Sequence, residues 1–231
     1  MEIHYATLST ETKFNGTIVV IDVLRAFTTA AYAFAAGAER IIPIGTPEEV
    51  LARRAAHPGS LAIGEVGGAI VPGFDYGNSP QPFLHVDLRG KTLYQRTGAG
   101  VQGLLRCSHD AVTLAASFVV AGATVRRLLA LHSETVTMLV TGHLEDRDGD
   151  EDRACADYLA ARLRGESPDP APYFERVRQS TAGRLFQIDS PAHPTADLPF
   201  CLQLDRFDFA MQTHSEGGEL VLKKCYTGRN D

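Results

Sequence analysis

The chain has 231 residues, of which 44% are hydrophobic and 22% charged, and 28 acids against 22 Lys and Arg give a formal net charge of −6. An acidic chain lacks the basic face that duplex nucleic acid requires, so no nucleic-acid partner is expected. No run approaches the roughly 18 uninterrupted apolar residues of a membrane span, and the opening MEIHYATLST has no basic-then-apolar leader, so no membrane partner is expected either.

Strand-like runs alternate with helix-like runs. The strands read as Glu2–Leu8, Thr17–Val23, Arg40–Ile44, Leu61–Ile63, Thr92–Gln95, Ala111–Leu114 and Thr135–Val140. Between them lie helices at Ala26–Ala36, Pro47–His57, Val101–Cys107, Gly122–His132 and Asp150–Arg164. Thr46 before Pro47 reads as an N-cap, and Gly37 as the stop of the Ala-rich helix. The proline- and acid-rich stretch Gly165–Pro172 is the clearest linker. A short helical segment, Tyr173–Ile188, and a loop through Pro199 follow. Two last strands, Cys201–Phe209 and Glu219–Lys223, are joined by a turn at Gly217-Gly218. The alternation predicts a three-layer α/β/α fold with a largely parallel or mixed sheet. A single α/β domain is expected over 1–231, with the linker near 165–172 marking two lobes if there are two.

Four cysteines, Cys107, Cys155, Cys201 and Cys225, are widely spaced and form no C-x-x-C pair. They read as free thiols in a reducing cytosol, which makes the expected location cytoplasmic.

Ligands of open α/β sheets bind at the carboxyl ends of strands. At the first such junction Asp22 offers an acid to a divalent cation. Arg25 offers a fork to an anion, and Thr28 a hydroxyl at a helix start. The plain alternative is a helix-capping Asp beside a surface arginine. Gly64-Glu65-Val66-Gly67-Gly68 puts a second acid after a second strand, or is an ordinary glycine turn. Pro72–Pro80 (PGFDYGNSP) places Asp75, Asn78 and Ser79 among glycines that let backbone approach a ligand. Gly98-Ala-Gly100-Val-Gln-Gly103 spells the dinucleotide fingerprint G-x-G-x-x-G. The strand Ala111–Leu114 that follows ends without the acid that the fingerprint requires for the ribose. The loop therefore reads as a phosphate or substrate loop, with Arg96 and Thr97 as further anion contacts, or as a tight turn.

Glu145-Asp146-Arg-Asp148-Gly-Asp150-Glu151-Asp152 is a dense acid run behind a buried strand. Such runs are usually solvated helix starts, but one or two of these acids could reach a shared Mg²⁺. His143 is the one histidine read at a strand exit beside acids; the others read as surface residues. No H-E-x-x-H or G-x-S-x-G supports a zinc or serine hydrolase.

In this order, Ile21–Thr29 (IDVLRAFTT), Gly64–Gly68, Pro72–Pro80, Glu151–Ala156 (EDRACA) and Cys201–Phe209 resemble the 2-phosphosulfolactate phosphatase family, from about Thr17 to Phe209. Many members read T-T-N-G-T where this chain has Arg96–Val101, with Ala99 in place of the amide side chain. The resemblance implies an α/β, Mg²⁺-dependent phosphatase that takes 2-phospho-3-sulfolactate to sulfolactate, a step toward coenzyme M. It marks Asp22, Arg25, Glu65, Asp75, Asn78, Ser79, Glu151 and Asp152 as site positions.

The expected assignment is Asp22, Asp75 and Glu151 as catalytic groups. Arg25, Thr28, Asn78, Ser79, Arg96 and Thr97 would hold a small phosphorylated acid, and Asp22, Glu65 and Asp152 the metal. In-line attack by cation-bound water is the reading taken; a free carboxylate acts as base or, in the alternative, as nucleophile. Two rivals stand: a nucleotide-binding enzyme using Gly98–Gly103, and a non-catalytic small-anion-binding relative. Small α/β enzymes are often symmetric, so a homodimer is the oligomer to test for.

Overall fold

The computed structural model describes residues 1–9, 14, 16–107, 111–144 and 147–226. In chain order its elements are β1 (Glu2–Thr7), β2 (Thr17–Ile21), α1 (Ala26–Ala35), β3 (Arg40–Pro43), α2 (Pro47–Ala56), β4 (Leu61–Gly64), β5 (Thr92–Arg96), α3 (Gly100–Arg106) and β6 (Thr113–Ala116). Then come α4 (Ala121–Ala130), β7 (Thr135–Val140), β8 (His143–Leu144), β9 (Arg147–Asp148), α5 (Asp150–Leu163), α6 (Ala171–Gln179), α7 (Thr181–Arg184), α8 (Leu198–Cys201), β10 (Ala210–Glu216) and β11 (Glu219–Cys225).

Nine of the described strands form one mixed sheet in the order β1-β7-β2-β6-β10-β11-β3-β5-β4. Two parallel groups, β1-β7-β2-β6 and β3-β5-β4, are joined by the antiparallel β10–β11 hairpin. The inner strands of the parallel groups are short and buried, most clearly the β-branched β2, as parallel strands covered by helices must be, whereas the edge strand β1 is largely exposed. In β2 the alternation is visible within one strand. Ile18 and Val20 join a cluster with α1, while Val19 and Ile21 join one with Ala121 and Val125 of α4 and Cys155 and Leu159 of α5. The α1 cluster also takes Ile41 of β3, Ile63 of β4 and Leu93 of β5. Helix α1 is therefore apolar nearly all round, with nine of its ten residues buried between the two parallel groups. On the opposite face Ile42 of β3 packs against Val50 of α2. The fold is a three-layer α/β/α arrangement.

Local signals act as the chemistry predicts. Thr46 caps α2 by accepting the Glu49 amide, with Pro47 opening the helix, and Gly37 follows α1 at φ +107°. The 201–209 segment does not form a strand. It runs from the end of α8 through a turn at Asp205, whose φ is +51°, and the strand begins only at Ala210. Its alternating apolar residues pack on different faces: Leu202 and Leu204 against the α4–α5 side, Phe207 and Phe209 against the α1 side. They mimic a strand because the chain crosses from one face of the sheet to the other. The 165–172 stretch leads into α6, whose Arg176 returns to Asp150 and Asp157 of α5. All four cysteines are free and buried. No helix of the described residues is long and apolar enough to cross a membrane.

Candidate active site

The exits of β2, β4, β5 and β7 meet, and backbone amides lock the acids between them. Asp22, just past β2, accepts the Ala26 amide on Oδ1 and the Gly100 amide on Oδ2, both at 2.9 Å. Glu65, just past β4, accepts Gly98 on Oε1 and Gly68 on Oε2, both at 2.6 Å. The G-x-G-x-x-G loop thus spends the amides of Gly98 and Gly100 on the protein's own carboxylates. Its glycines answer to packing: a Cβ on Gly100 would lie 2.6 Å from Asp22 Oδ2, and one on Gly103 would lie 2.7 Å from Val20. A pyrophosphate has no such amides left to claim at these two positions.

Asp22 and Glu65 line a cleft with Arg25, Asn78, Arg147, Phe186 and His193, together with Leu24, Gly67, Gly68, Gly98 and Ala99. It encloses about 130 Å³, small beside the roughly 300–1,000 Å³ of sites for drug-sized ligands, and suits a short acid rather than a dinucleotide. Burial pushes the Asp22 carboxyl up to about 6. The Glu65 charge adds to that rise, while the Ala26 and Gly100 amides and the more distant Arg147 oppose it.

Arg25 forms the wall of the cleft rather than an open clamp. Its two terminal nitrogens donate to Asp197 Oδ2 and the Ala192 carbonyl, each at 2.5 Å, and Phe186 packs on its guanidinium at 5.0 Å. Asp197 is completely buried and accepts Ser79 on its other oxygen at 2.7 Å. Asn78 lines the cleft, and its buried Oδ1 has no hydrogen-bond partner among the described residues.

Among the remaining acids Asp152 lies behind the cleft. Its Oδ1 accepts the Val23 amide and its Oδ2 the Gly142 amide, both at 2.7 Å, with Thr141 also donating, so it staples the β2 exit to the β7 exit. Neighbouring Glu151 is buried, its Oε2 without a partner among the described residues, and burial, then the Asp22 and Asp148 charges, raise it to about 7 against hydrogen bonds from its own amide and Ser180. Burial first, then Glu151 and Asp22, raises Asp152 as well. Asp75 is not among the cleft residues. It accepts Arg54 of α2 and the Ala62 amide of β4, and ties the 72–80 loop to that edge of the sheet. Thr28 of α1 donates to the Val23 carbonyl, Thr97 accepts the Val101 amide of α3, and Arg96 donates to the Glu65 carbonyl. None of these three lines the cleft. Of the acid run, Glu145 and Asp146 lie outside the described residues. His143 is exposed, its ring against the Asp148 carbonyl.

The cleft also holds residues for which the sequence offered no signal: Arg147 within the acid run, and Phe186 and His193 in a segment read as helix end and loop, from which Asp197 holds the Arg25 wall. His193, read as a surface residue, is half-buried with its ring against Gly68. Burial, then Arg25 and Arg147, lowers its pKa, so the ring is neutral at pH 7.

Hard divalent cations take oxygen ligands, often one or two carboxylates completed by water and substrate phosphate. Asp22 and Glu65 suit that mode: each carboxylate oxygen is oriented by one amide and keeps a second lone pair. Among the described residues no three His, Cys, Asp or Glu side chains are grouped to hold a metal ion, and Asp22 and Glu65 are the carboxylates that line the cleft.

Comparison with known proteins places this geometry in a lineage. A family model described as 2-phosphosulpholactate phosphatase matches residues 3–216. A Bacillus subtilis (strain 168) protein named "Probable 2-phosphosulfolactate phosphatase" is 32% identical over 86% of this chain and 87% of its own length. One of the same name from Carboxydothermus hydrogenoformans is 34% identical over 89% of this chain and 90% of its own. The chain belongs to the 2-phosphosulfolactate phosphatase family.

Proposed function

We propose that this member of the family is a phosphoric monoester hydrolase that converts 2-phospho-3-sulfolactate to sulfolactate and inorganic phosphate, with Mg²⁺ as cofactor. The observation that carries the reading is the meeting of Asp22 and Glu65, from separate strand exits, in one small cleft with Arg147 and Asn78. Asp22 and Glu65 would hold the cation. Bound there, it would neutralise charge on the phosphoryl oxygens.

The chain's own residues supply the rest. The small cleft orients the ester for in-line displacement and excludes bulk water. Water attacks phosphorus, the bond from phosphorus to the C2 oxygen breaks, and that oxygen leaves needing a proton. With Asp22 and Glu65 committed to the cation, His193 is the remaining neutral titratable group on the cleft wall. It takes the proton lost by the attacking water, and the departing C2 oxygen on the far side of phosphorus takes its proton from solvent, leaving a free hydroxyl and phosphate. Asp152 holds the backbone at Val23 and so fixes the position of Asp22. The buried free cysteines support a reducing, cytoplasmic setting. Sulfolactate release suits a route that consumes sulfolactate, such as coenzyme M synthesis.

The test is phosphate release by the purified protein from 2-phospho-3-sulfolactate, with Mg²⁺ and with a chelator. Release that the chelator abolishes and added Mg²⁺ restores is expected. Binding without release under Mg²⁺ would sink the hydrolase reading, and release unaffected by the chelator would sink its metal half.

A further inference from the structure

The two arginines of the cleft are chemically unequal. Both terminal nitrogens of Arg25 are engaged, by Asp197 and by the Ala192 carbonyl, and the buried Asp197 carboxylate cancels its charge. An arginine recognises an anion through its open fork, and this fork is closed. Arg147, paired through its backbone with Leu144 on the two-residue strand β9, lines the same cleft, and its guanidinium makes no hydrogen bond or ion pair to a described residue. Arg25 is closed by Asp197 and Ala192, so Arg147 is the one cleft arginine whose fork is not held by a described residue.

Resting on the hydrolase reading above, we infer that Arg147 is the specificity-determining residue that binds an acidic group of the substrate other than its phosphate, and so selects phosphate esters of acids over simple alkyl phosphates. The phosphate has the cation; a carboxylate or sulfonate on the adjoining carbon has Arg147. Arg25 is then a positioning residue that holds the 186–197 wall.

The experiment is a cycle of enzyme variants against substrates. Wild type, Arg147→Gln and Arg147→Lys are assayed on 2-phospho-3-sulfolactate, 2-phospholactate and isopropyl phosphate. Binding of phosphate-free sulfolactate is measured by calorimetry in parallel. A charge-assisted hydrogen bond contributes roughly 1.5–3 kcal/mol, so Arg147→Gln is expected to lower kcat/KM on the two acids about 10- to 100-fold. Isopropyl phosphate should change less than about 3-fold, sulfolactate binding should weaken in step, and Arg147→Lys should fall between. Equal losses on all three substrates, or sulfolactate binding indifferent to the substitution, overturn the inference. A wild type that binds sulfolactate through Arg147 but hydrolyses nothing sinks the hydrolase reading alone.

Discussion

At the scale of single residues, the cleft separates groups that hold from groups that transfer. Asp22 and Glu65 are each pinned by two backbone amides, which fixes carboxylates in place for a cation but makes them stiff proton carriers. His193 has no such anchor, and its lowered pKa leaves it neutral under working conditions. General acid–base groups contribute typically about 10²- to 10⁴-fold. His193→Gln is therefore expected to lower kcat by at least about 10²-fold with little change in KM, and to remove the acidic limb of the pH–rate profile that His193 protonation imposes. A variant that loses activity but keeps that limb would move the proton-transfer role to another residue. None of this was legible from the sequence around His193, which lies in a proline-flanked loop with no spacing motif. Asp22 and Glu65 were legible because each follows a short apolar strand, the one place where an α/β fold gathers side chains.

At the scale of elements, legibility followed local chemistry and stopped where tertiary partners decide. Pro47 after Thr46 marks a helix start by itself, and Thr17–Ile21 marks a buried strand by its β-branched run. The PGFDYGNSP loop was legible as unusual, yet only the fold divides its residues. Asp75 faces Arg54 and Ala62, Ser79 faces Asp197, and Asn78 faces the cleft. No spacing rule distinguishes these directions, because each depends on a partner far away in sequence. The division makes a prediction at this scale. Asp197→Ala leaves Arg25 buried without its counter-ion and strips Ser79 of its acceptor. Breaking such a pair costs about 3–5 kcal/mol. Asp75 is partly exposed and pairs with an exposed Arg54, so Asp75→Asn removes only a weak pair while keeping an oxygen for the Ala62 amide. A loss under about 1 kcal/mol is expected there. Chemical denaturation should rank Asp197→Ala far below Asp75→Asn, and Asp75→Asn should retain near wild-type kcat. A collapse of kcat in a stable Asp75→Asn protein would return Asp75 to the catalytic set.

At the scale of the whole molecule, the fold concentrates negative charge where its strands end. Asp22, Glu151 and Asp152 are buried within Coulombic reach of one another, and Glu65 adds its charge at Asp22. Burial raises Asp22 to about 6 and Glu151 to about 7, above their ordinary values of 3.8 and 4.5. The folded state therefore binds more protons than the unfolded chain between about pH 4 and 7, and stability falls as pH rises through that window. For Glu151 alone the loss is up to about 3 kcal/mol, complete once pH exceeds 7. A divalent cation at Asp22 and Glu65 works against that loss, because it binds the ionised carboxylates and not their protonated forms. Melting temperatures at pH 5 and pH 8, with and without Mg²⁺, read both effects. Without the metal the protein should melt lower at pH 8 than at pH 5, and Glu151→Gln should narrow that gap. Added Mg²⁺ should raise the melting temperature at pH 8 and do little at pH 5, where protons occupy Asp22. A metal-free protein equally stable at both pH values would mean that these acids are not held together in their buried, costly state. A Mg²⁺ response equal at both pH values would place the cation away from Asp22, and the strand exits would then be a structural knot of carboxylates and amides rather than the seat of phosphate chemistry.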